Sequence, residues 1–335
     1  MIDIQRFSEI RNREHLIVLD TNVLLELYRQ PADISLDIIE SFEKIIDQIY
    51  IPQQVYSEYI RNYQKVCGDE KKKYTNVKRE LMDSIARMQT DITSKTNEYR
   101  KHNYTDVNTL KKNLNEKVLE MQSLISVYED NHKEEIRHNQ QFLENDNVKQ
   151  FVDKLLERGC VGEKLKFSER LKILQEGKVR FENLIPPGYK DIKKEGSDKY
   201  GDIFVWKGII SIAQEKNANI IFVCNDIKED WWEKKEETPI ESRAELLEEF
   251  TEVNPSLSIC FLTLEKFFTY IAEELKIGKS KSALQLSAMD DVEIILAKYN
   301  DEIYGYIEEY FEAIDIKKEL DEEYRTTLIN FTKYK

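Results

Sequence analysis

The clearest pattern in the chain is an apolar run that ends abruptly in a carboxylate. Leu16 to Leu19 are all apolar and are followed at once by Asp20. A continuous apolar run of this kind is typical of a strand buried on both faces of a parallel sheet. A second run, Ile220 to Val223, leads in the same way to Asp226. Because ligands bind beyond the carboxyl ends of such strands, we expect both aspartates to face one crevice. The simpler alternative for Asp20 is that it only caps the helix beginning at Val23.

Short apolar runs alternate with helical periodicities over most of the chain. A polar lead-in is predicted for residues 1–15, and a late helix for 241–250. The predicted strands are residues 16–20, 49–51, 220–224 and 257–262. Strands that alternate with helices favour an α/β fold with a mostly parallel sheet flanked by helices.

The composition changes near residue 65. Residues 69–143 are highly charged, nearly free of glycine and proline, and carry two apolar stripes of helical spacing. This pattern predicts an antiparallel helical hairpin over residues 69–145, in the manner of a short coiled coil. The predicted sheet domain has two parts, residues 1–64 and 186–278. The helical insertion between them is residues 65–185, and an acidic helical C-terminal tail is predicted for residues 279–335.

Charge and composition limit the classes of protein to which the chain can belong. Charged residues make up 34% of the chain and the net charge is −14, which argues against a basic protein that coats nucleic acid. No apolar run approaches the roughly 20 residues of a membrane span, and the N-terminus does not resemble a signal peptide. Four scattered cysteines fit reduced thiols and a cytoplasmic location. Residues 164–199 are locally basic, so they form either a phosphate-facing surface or a solvated face.

Further carboxylates recur at helix starts and after strands. Glu58 lies in the helix after the second strand, Asp202 follows a glycine at a helix start, and Asp230 lies four residues after Asp226. Each has a simpler interpretation, as a surface acid, a helix cap or a turn residue. Acids gathered in one crevice repel each other, which raises their pKa values or recruits a cation. A hard divalent ion such as Mg²⁺ takes oxygen ligands, and a pair of such ions can activate water against a phosphodiester.

The ordered series of motifs resembles a PIN-like nuclease domain, over about residues 15–275. More narrowly, it is similar to a bacterial PIN-like group that carries a helical insertion in mid-domain. The motifs that carry the resemblance are Asp20-Thr21-Asn22, Glu58 after Ile51-Pro52, Ile185-Pro186-Pro187-Gly188-Tyr189, Tyr200-Gly201-Asp202 with Trp206, Asn225-Asp226 with Lys228, Asp230, Trp231 and Trp232, and Arg243 before Glu245-Leu246.

The resemblance implies a Mg²⁺- or Mn²⁺-dependent endonuclease, in most relatives an endoribonuclease, here acting as a bacterial toxin or defence effector. By position, the metal-binding and catalytic acids are Asp20, Glu58, Asp202 and Asp226, with Asp230 as an accessory metal ligand. Asn22 is expected to orient Asp20, while Lys228 and Arg243 are expected to contact phosphates. Trp231 and Trp232 are expected to pack in the core rather than stack on bases. The long insertion departs from the compact PIN toxins, so their substrates do not transfer directly.

Two alternatives stay open at this point. The first is an enzyme that cuts structured DNA, as the flap endonucleases of the wider PIN architecture do. The second is a catalytically silent scaffold whose helical insertion binds a protein partner or a second copy of the chain. The presence of all the candidate acids counts against the scaffold. Nucleic acid, RNA ahead of DNA, is therefore the expected partner, and no membrane association is expected.

Overall fold

The centre of the fold is a four-stranded parallel sheet with the strand order β2-β1-β3-β6. The computed structural model describes residues 2–101, 106–235 and 238–274, so the tail predicted for residues 279–335 lies outside the described residues. The strands within these residues are β1 (His15–Leu19), β2 (Ile49–Tyr50), β3 (Asn219–Val223), β4 (Trp232–Lys235), β5 (Thr238–Ser242) and β6 (Ile259–Leu262). The predicted α/β class, with a mostly parallel sheet flanked by helices, is confirmed.

The apolar runs form strands because both faces of the sheet are covered. All five residues of β3 are buried, and Ile17, Val18 and Leu19 of β1 are fully buried. Strands β1 and β3 are neighbours and pair in register, so that Leu19 lies opposite Val223. The two carboxyl ends therefore lie side by side, as the apolar runs predicted. The observed strand limits differ from the predicted ones by one or two residues.

Helices surround this sheet and also form the insertion. Their bounds are α1 (Ile2–Arg11), α2 (Thr21–Glu26), α3 (Ala32–Lys44), α4 (Gln53–Lys101), α5 (Val107–Asn131), α6 (Lys133–Asn145), α7 (Asn147–Glu157), α8 (Phe167–Glu182), α9 (Gly201–Lys216), α10 (Ala244–Val253) and α11 (Leu264–Glu274). Short 3₁₀ helices are Ile46–Gln48, Tyr189–Lys193 and Asp198–Tyr200. None of the helices in the described part of the chain combines the length and the apolarity needed to cross a membrane.

Two local predictions were wrong. Residues 1–15 are not simply a polar lead-in, because α1 buries Phe7 and Ile10, and the Phe7 ring packs 5.2 Å from that of Tyr270 in α11. The helix predicted from residue 241 begins instead at Ala244, because the preceding residues form the antiparallel hairpin of β4 and β5. That hairpin has a bulge between Glu233 and Lys234, which breaks the regular alternation that strands show in sequence.

The insertion is an antiparallel helical hairpin built on one very long helix. Helix α4 has 49 residues and is about 74 Å long at 1.5 Å per residue. Near the end of α4, Asn97 accepts a hydrogen bond from Lys111 in α5, and nearer its start Cys67 donates to the carbonyl of Leu143 in α6. The chain therefore runs back along α4 in the opposite direction. Helix α4 also contains Glu58, so a single unbroken helix joins the sheet domain to the hairpin.

A carboxylate cluster at the ends of strands β1 and β3

Asp20 and Asp226 follow the two central strands and lie in one crevice. The backbone N–H of Asp20 donates to the carbonyl of Val223 at 3.0 Å, which holds the two strand ends together. Asp20 occupies the N-cap position of α2, but its side chain makes no capping hydrogen bond. Its Oδ2 instead accepts from Asn22 Nδ2 at 3.1 Å and from Cys224 Sγ at 3.6 Å. Helix capping therefore does not account for this carboxylate.

Glu58 reaches the same crevice from α4. Its Oε2 accepts from Thr21 Oγ1 at 3.2 Å, and its Oε1 accepts from Gln54 Nε2 at 2.6 Å. Helix α9 begins at Gly201, where a Cβ atom would lie 2.6 Å from Glu58 Oε1. A residue with a side chain at this position would have to displace the carboxylate. The glycine thus allows the start of α9, with Asp202, to approach Glu58.

Asp202 is held from two sides. Its Oδ2 accepts from Trp231 Nε1 at 3.3 Å. On the other side lies Gly188, whose φ of +90° is in the left-handed region that glycine tolerates. A Cβ on Gly188 would lie only 3.1 Å from the Cβ of Asp202. The loop that contains Gly188 therefore packs directly against the acid.

Two of the four acids, Asp20 and Asp202, have raised pKa values. Burial raises the pKa of Asp20 from 3.8 to about 6, and the negative charges of Glu58 and Asp226 contribute to the rise. Burial also raises the pKa of Asp202 well above its ordinary value, with contributions from Asp20 and Asp226. These interactions join all four predicted acids in one cluster. Such a cluster disfavours its own full ionisation unless positive charge is supplied.

Part of that positive charge comes from Lys228. Its Nζ lies 2.7 Å from Asp226 Oδ2 and 3.0 Å from Asp191 Oδ1. Burial alone would lower the pKa of Lys228, but its ion pairs with these two aspartates raise it. The Lys228 ammonium also opposes the rise in the pKa of Asp202, so it lies close to that carboxylate as well. Lys228, predicted as a phosphate contact, is thus a counter-ion of the cluster.

Asp191 is the residue of this site that the sequence analysis missed. It is buried, with 7% of its surface exposed, and it binds both Lys194 at 2.5 Å and Lys228. Burial would raise its pKa, but the two lysines hold the pKa below its ordinary value. Asp191 therefore remains a carboxylate and fixes the position of Lys228. The only sequence signal was its place at the end of the Pro-Pro-Gly loop.

The loop that carries Asp191 is anchored by a second, separate charge network. Arg180 is 7% exposed, and its guanidinium donates to the carbonyl of Pro186 and to Glu249, each at 2.5 Å. Glu249 also accepts from Trp206 Nε1 and from Lys207 Nζ, each at 2.8 Å. These contacts tie α8, α9 and α10 to the loop. They position the loop residues that contact Asp202 and Lys228.

The remaining predicted site residues lie at the edge of this arrangement. Asp230 is fully buried, and its Oδ2 accepts from the backbone N–H of Lys190 at 3.0 Å, while Oδ1 has no hydrogen-bond partner in the described part of the chain. Residues 224–229 are not helical, so Asp226 and Asp230 do not share a helix face. Arg243 pairs with Glu233 at 3.3 Å and Glu245 at 2.5 Å. Its charge is thus already neutralised by two acids.

Both tryptophans of the Trp231-Trp232 pair are packed into the core, each with 2% of its surface exposed. The ring of Trp231 contacts those of Phe222 at 5.3 Å and Trp206 at 6.4 Å between centroids. The expected packing role is confirmed. Trp231 has an additional role that the pattern did not indicate, because its indole N–H is the donor that holds Asp202.

The donor set of the cluster fits a hard divalent cation. Among the residues that the structure describes, no group of three or more His, Cys, Asp or Glu side chains is already arranged to hold a metal. The available donors are nevertheless carboxylate oxygens, the ligands that Mg²⁺ and Mn²⁺ prefer. The raised pKa values of Asp20 and Asp202 show that further positive charge would stabilise their ionised forms.

Comparison with known proteins identifies the class to which this fold and site belong. A family model described as a PIN-like domain matches residues 16–246, which is more than half of the chain. The chain therefore belongs to the PIN-like domain family. This family is part of a nuclease superfamily whose members generally are hydrolases and usually use divalent metal ions. No curated protein and no solved structure matched the chain.

Proposed function

We propose that this protein is a divalent-metal-dependent endonuclease that hydrolyses phosphodiester bonds of RNA, with Asp20, Glu58, Asp202 and Asp226 as the acids that hold Mg²⁺ or Mn²⁺. The observation that carries the proposal is the gathering of these acids beside the adjacent ends of strands β1 and β3. Two of them, Asp20 and Asp202, have raised pKa values, chiefly because they are buried and also because neighbouring carboxylates are negatively charged. Perturbed pKa values of buried carboxylates cluster at functional sites, which supports a role for these acids in binding or catalysis.

Each neighbouring side chain has a proposed task. Asn22 orients the Asp20 carboxylate through its 3.1 Å hydrogen bond, and Trp231 orients Asp202. Lys228, fixed by Asp191, neutralises part of the cluster and can donate to a phosphate oxygen of the substrate. A divalent ion, when bound, lowers the pKa of water and stabilises the negative charge of the phosphate. Asp230 and Arg243 stay in the proposal as an accessory ligand and a phosphate contact.

The choice of RNA and the biological role rest on the resemblance to bacterial PIN-like proteins. We propose a toxin or defence role in a cytoplasm, where the four cysteines would remain the free thiols seen in the structure. The helical hairpin is proposed to handle substrate or a protein partner. Several of its apolar side chains are exposed, among them Leu110, Leu119 and Leu124, at 53%, 61% and 67%.

Cleavage assays test the proposal. Labelled single-stranded RNA and DNA of the same sequence are incubated with the protein in Mg²⁺, Mn²⁺ or EDTA. We expect RNA to be cut only with a divalent ion. Asp226→Asn should lower the rate by at least roughly 10- to 100-fold, the range seen even for residues that merely support metal ligands. Asp83→Asn, an exposed acid on α4, is the matched control and should cleave normally.

Three results would contradict the proposal in different ways. Equal RNA cleavage in EDTA would exclude the metal dependence. Preferential cleavage of DNA would favour the structure-specific DNA nuclease. Absence of cleavage of either nucleic acid by the folded protein would favour the scaffold, whose hairpin binds a partner.

A further inference from the structure

A large cavity borders the carboxylate cluster on the side of Glu58. It has a volume of about 1000 Å³ and lies between the start of α4, residues 159–165, the start of α8 and one face of α9. Gln54 forms part of its wall and also donates to Glu58 Oε1 at 2.6 Å. One side chain therefore separates the cavity from a predicted metal ligand.

The charge of the cavity is opposite to that of the chain. Five cationic and three acidic side chains line it, although the whole chain carries a net charge of −14. Arg61 is paired with Asp198 at 3.1 Å. Lys164 and Arg170, by contrast, have no ion pair among the described residues. Among the described residues, two cations and one acid, Glu163, thus line the cavity without an ion pair, and both cations belong to the locally basic stretch of residues 164–199.

The walls also offer an aromatic ring and hydrogen-bonding groups. Tyr50 ends the edge strand β2 and lines the cavity together with Ser57 and Gln53. Burial, with the nearby charges of Glu215 and Glu163, raises the pKa of Tyr50 to about 12, so its hydroxyl remains a hydrogen-bond donor at neutral pH. Cations, an aromatic ring and polar groups together are the chemistry that recognises single-stranded nucleic acid.

We propose that this cavity binds the nucleotides of a single-stranded substrate that lie next to the scissile phosphate. Lys164 and Arg170 contact their phosphates, and a base lies against Tyr50. This inference rests on the proposed nuclease function and adds a substrate class to it. The volume is at the upper end of small-ligand pockets, so there is room for more than one nucleotide. A paired duplex presents no free base face to Tyr50, which makes an unpaired strand the preferred ligand.

Binding of a fluorescein-labelled uridine octamer in EDTA, followed by anisotropy, tests this inference without catalysis. The variants are Lys164→Gln/Arg170→Gln and, as control, Lys172→Gln, which changes an exposed lysine outside the cavity on α8, the helix that carries Arg170. Each lost phosphate contact lowers the slope of log K against log salt by about 0.7 for a single strand. We expect the slope for the double variant to be about 1.4 smaller in magnitude than that for the wild type, and the slope for the control to equal that of the wild type.

The outcomes separate this inference from the proposed function. An unchanged salt slope in the folded double variant would overturn the cavity assignment, even if Asp226→Asn abolishes cleavage. A free uridine monophosphate that binds as tightly as the octamer, and loses affinity in the double variant, would also overturn it, because the cavity would then be a small-molecule nucleotide site. Normal cleavage by Asp226→Asn would instead refute the nuclease site, whatever the octamer binding shows.

Discussion

Replacing Asp20 by asparagine should stabilise the metal-free protein, because the native carboxylate is held in an unfavourable charged environment. Its pKa is 3.8 in its ordinary state and about 6 in the fold. Since one pKa unit corresponds to 1.36 kcal/mol, this difference costs the native state about 3 kcal/mol above pH 6. Loss of one of the hydrogen bonds from Asn22 and Cys224 would reduce the gain to about 2 kcal/mol.

The sign of the pH dependence follows from the same values. The unfolded chain releases the Asp20 proton near its ordinary pKa, whereas the folded chain keeps it until about pH 6. Between these two values the folded state binds more protons, so the stability contributed by this group falls as the pH rises. Above pH 6 the free energy that the charged Asp20 costs the folded state no longer changes with pH. The difference between wild type and Asp20→Asn should therefore be small at pH 4 and largest at pH 7.

Urea unfolding in EDTA at pH 4, 5, 6 and 7 measures this difference directly. The exposed-surface variant Asp83→Asn, on α4, is the control and should unfold like wild type at each pH. Addition of Mn²⁺ at pH 7 should stabilise the wild type more than Asp20→Asn, because a bound cation removes the penalty only where the carboxylate exists. An Asp20→Asn protein that is less stable than wild type at pH 7 in EDTA would refute the reasoning.

Three further predictions concern the site and the hairpin. Calorimetry should show weaker Mn²⁺ binding by Asp20→Asn than by wild type, and equal binding would argue against Asp20 as a ligand. Asp191→Asn should also weaken Mn²⁺ binding severalfold, since Lys228 would then pair with Asp226 alone and compete with the ion; unchanged affinity would show that Asp191 has no such role. Replacing residues 80–127 by a short loop, beyond the Lys78–Glu129 ion pair, should leave the sheet domain folded and active on short unstructured RNA. Complete loss of that activity in the folded protein would mean that the hairpin supplies chemistry.

The positions of Asp20 and Asp226 could be predicted from sequence because a simple rule determines them. Buried parallel strands leave a continuous apolar run, and the residue after such a run lies at the ligand edge of the sheet. The observed pairing of Leu19 with Val223 places both acids there. Glu58 and Asp202 needed the family resemblance, because a helical carboxylate carries no local sign of what it faces.

Other features could not be predicted because tertiary contacts create them. Asp191 lies in a short 3₁₀ helix after the Pro-Pro-Gly loop, in a stretch with no periodic pattern, and its role exists only because the fold brings Lys228 within 3.0 Å of it. The network of Arg180 and Glu249 joins residues 69 positions apart in sequence. Helix α1 has four apolar residues among its ten, and two of these, Phe7 and Ile10, are buried, which only the tertiary packing shows. The bulged β4–β5 hairpin, likewise, lacks a clean alternation.

Mapping the ends of the cleaved RNA tests the central claim most directly. Among the described residues no serine or histidine is hydrogen-bonded to the carboxylates of the four acids, and the Thr21 hydroxyl donates to Glu58. The Cys224 thiol beside Asp20 is buried and its pKa is raised well above the ordinary value, so it is no nucleophile. Water is therefore the expected attacking group. Attack by water leaves a 5′-phosphate and a 3′-hydroxyl on the products. We predict these ends when Mg²⁺ or Mn²⁺ is present, and no cleavage in EDTA. A 2′,3′-cyclic phosphate with a 5′-hydroxyl, formed in EDTA, would contradict the account and remove the role assigned to all four acids.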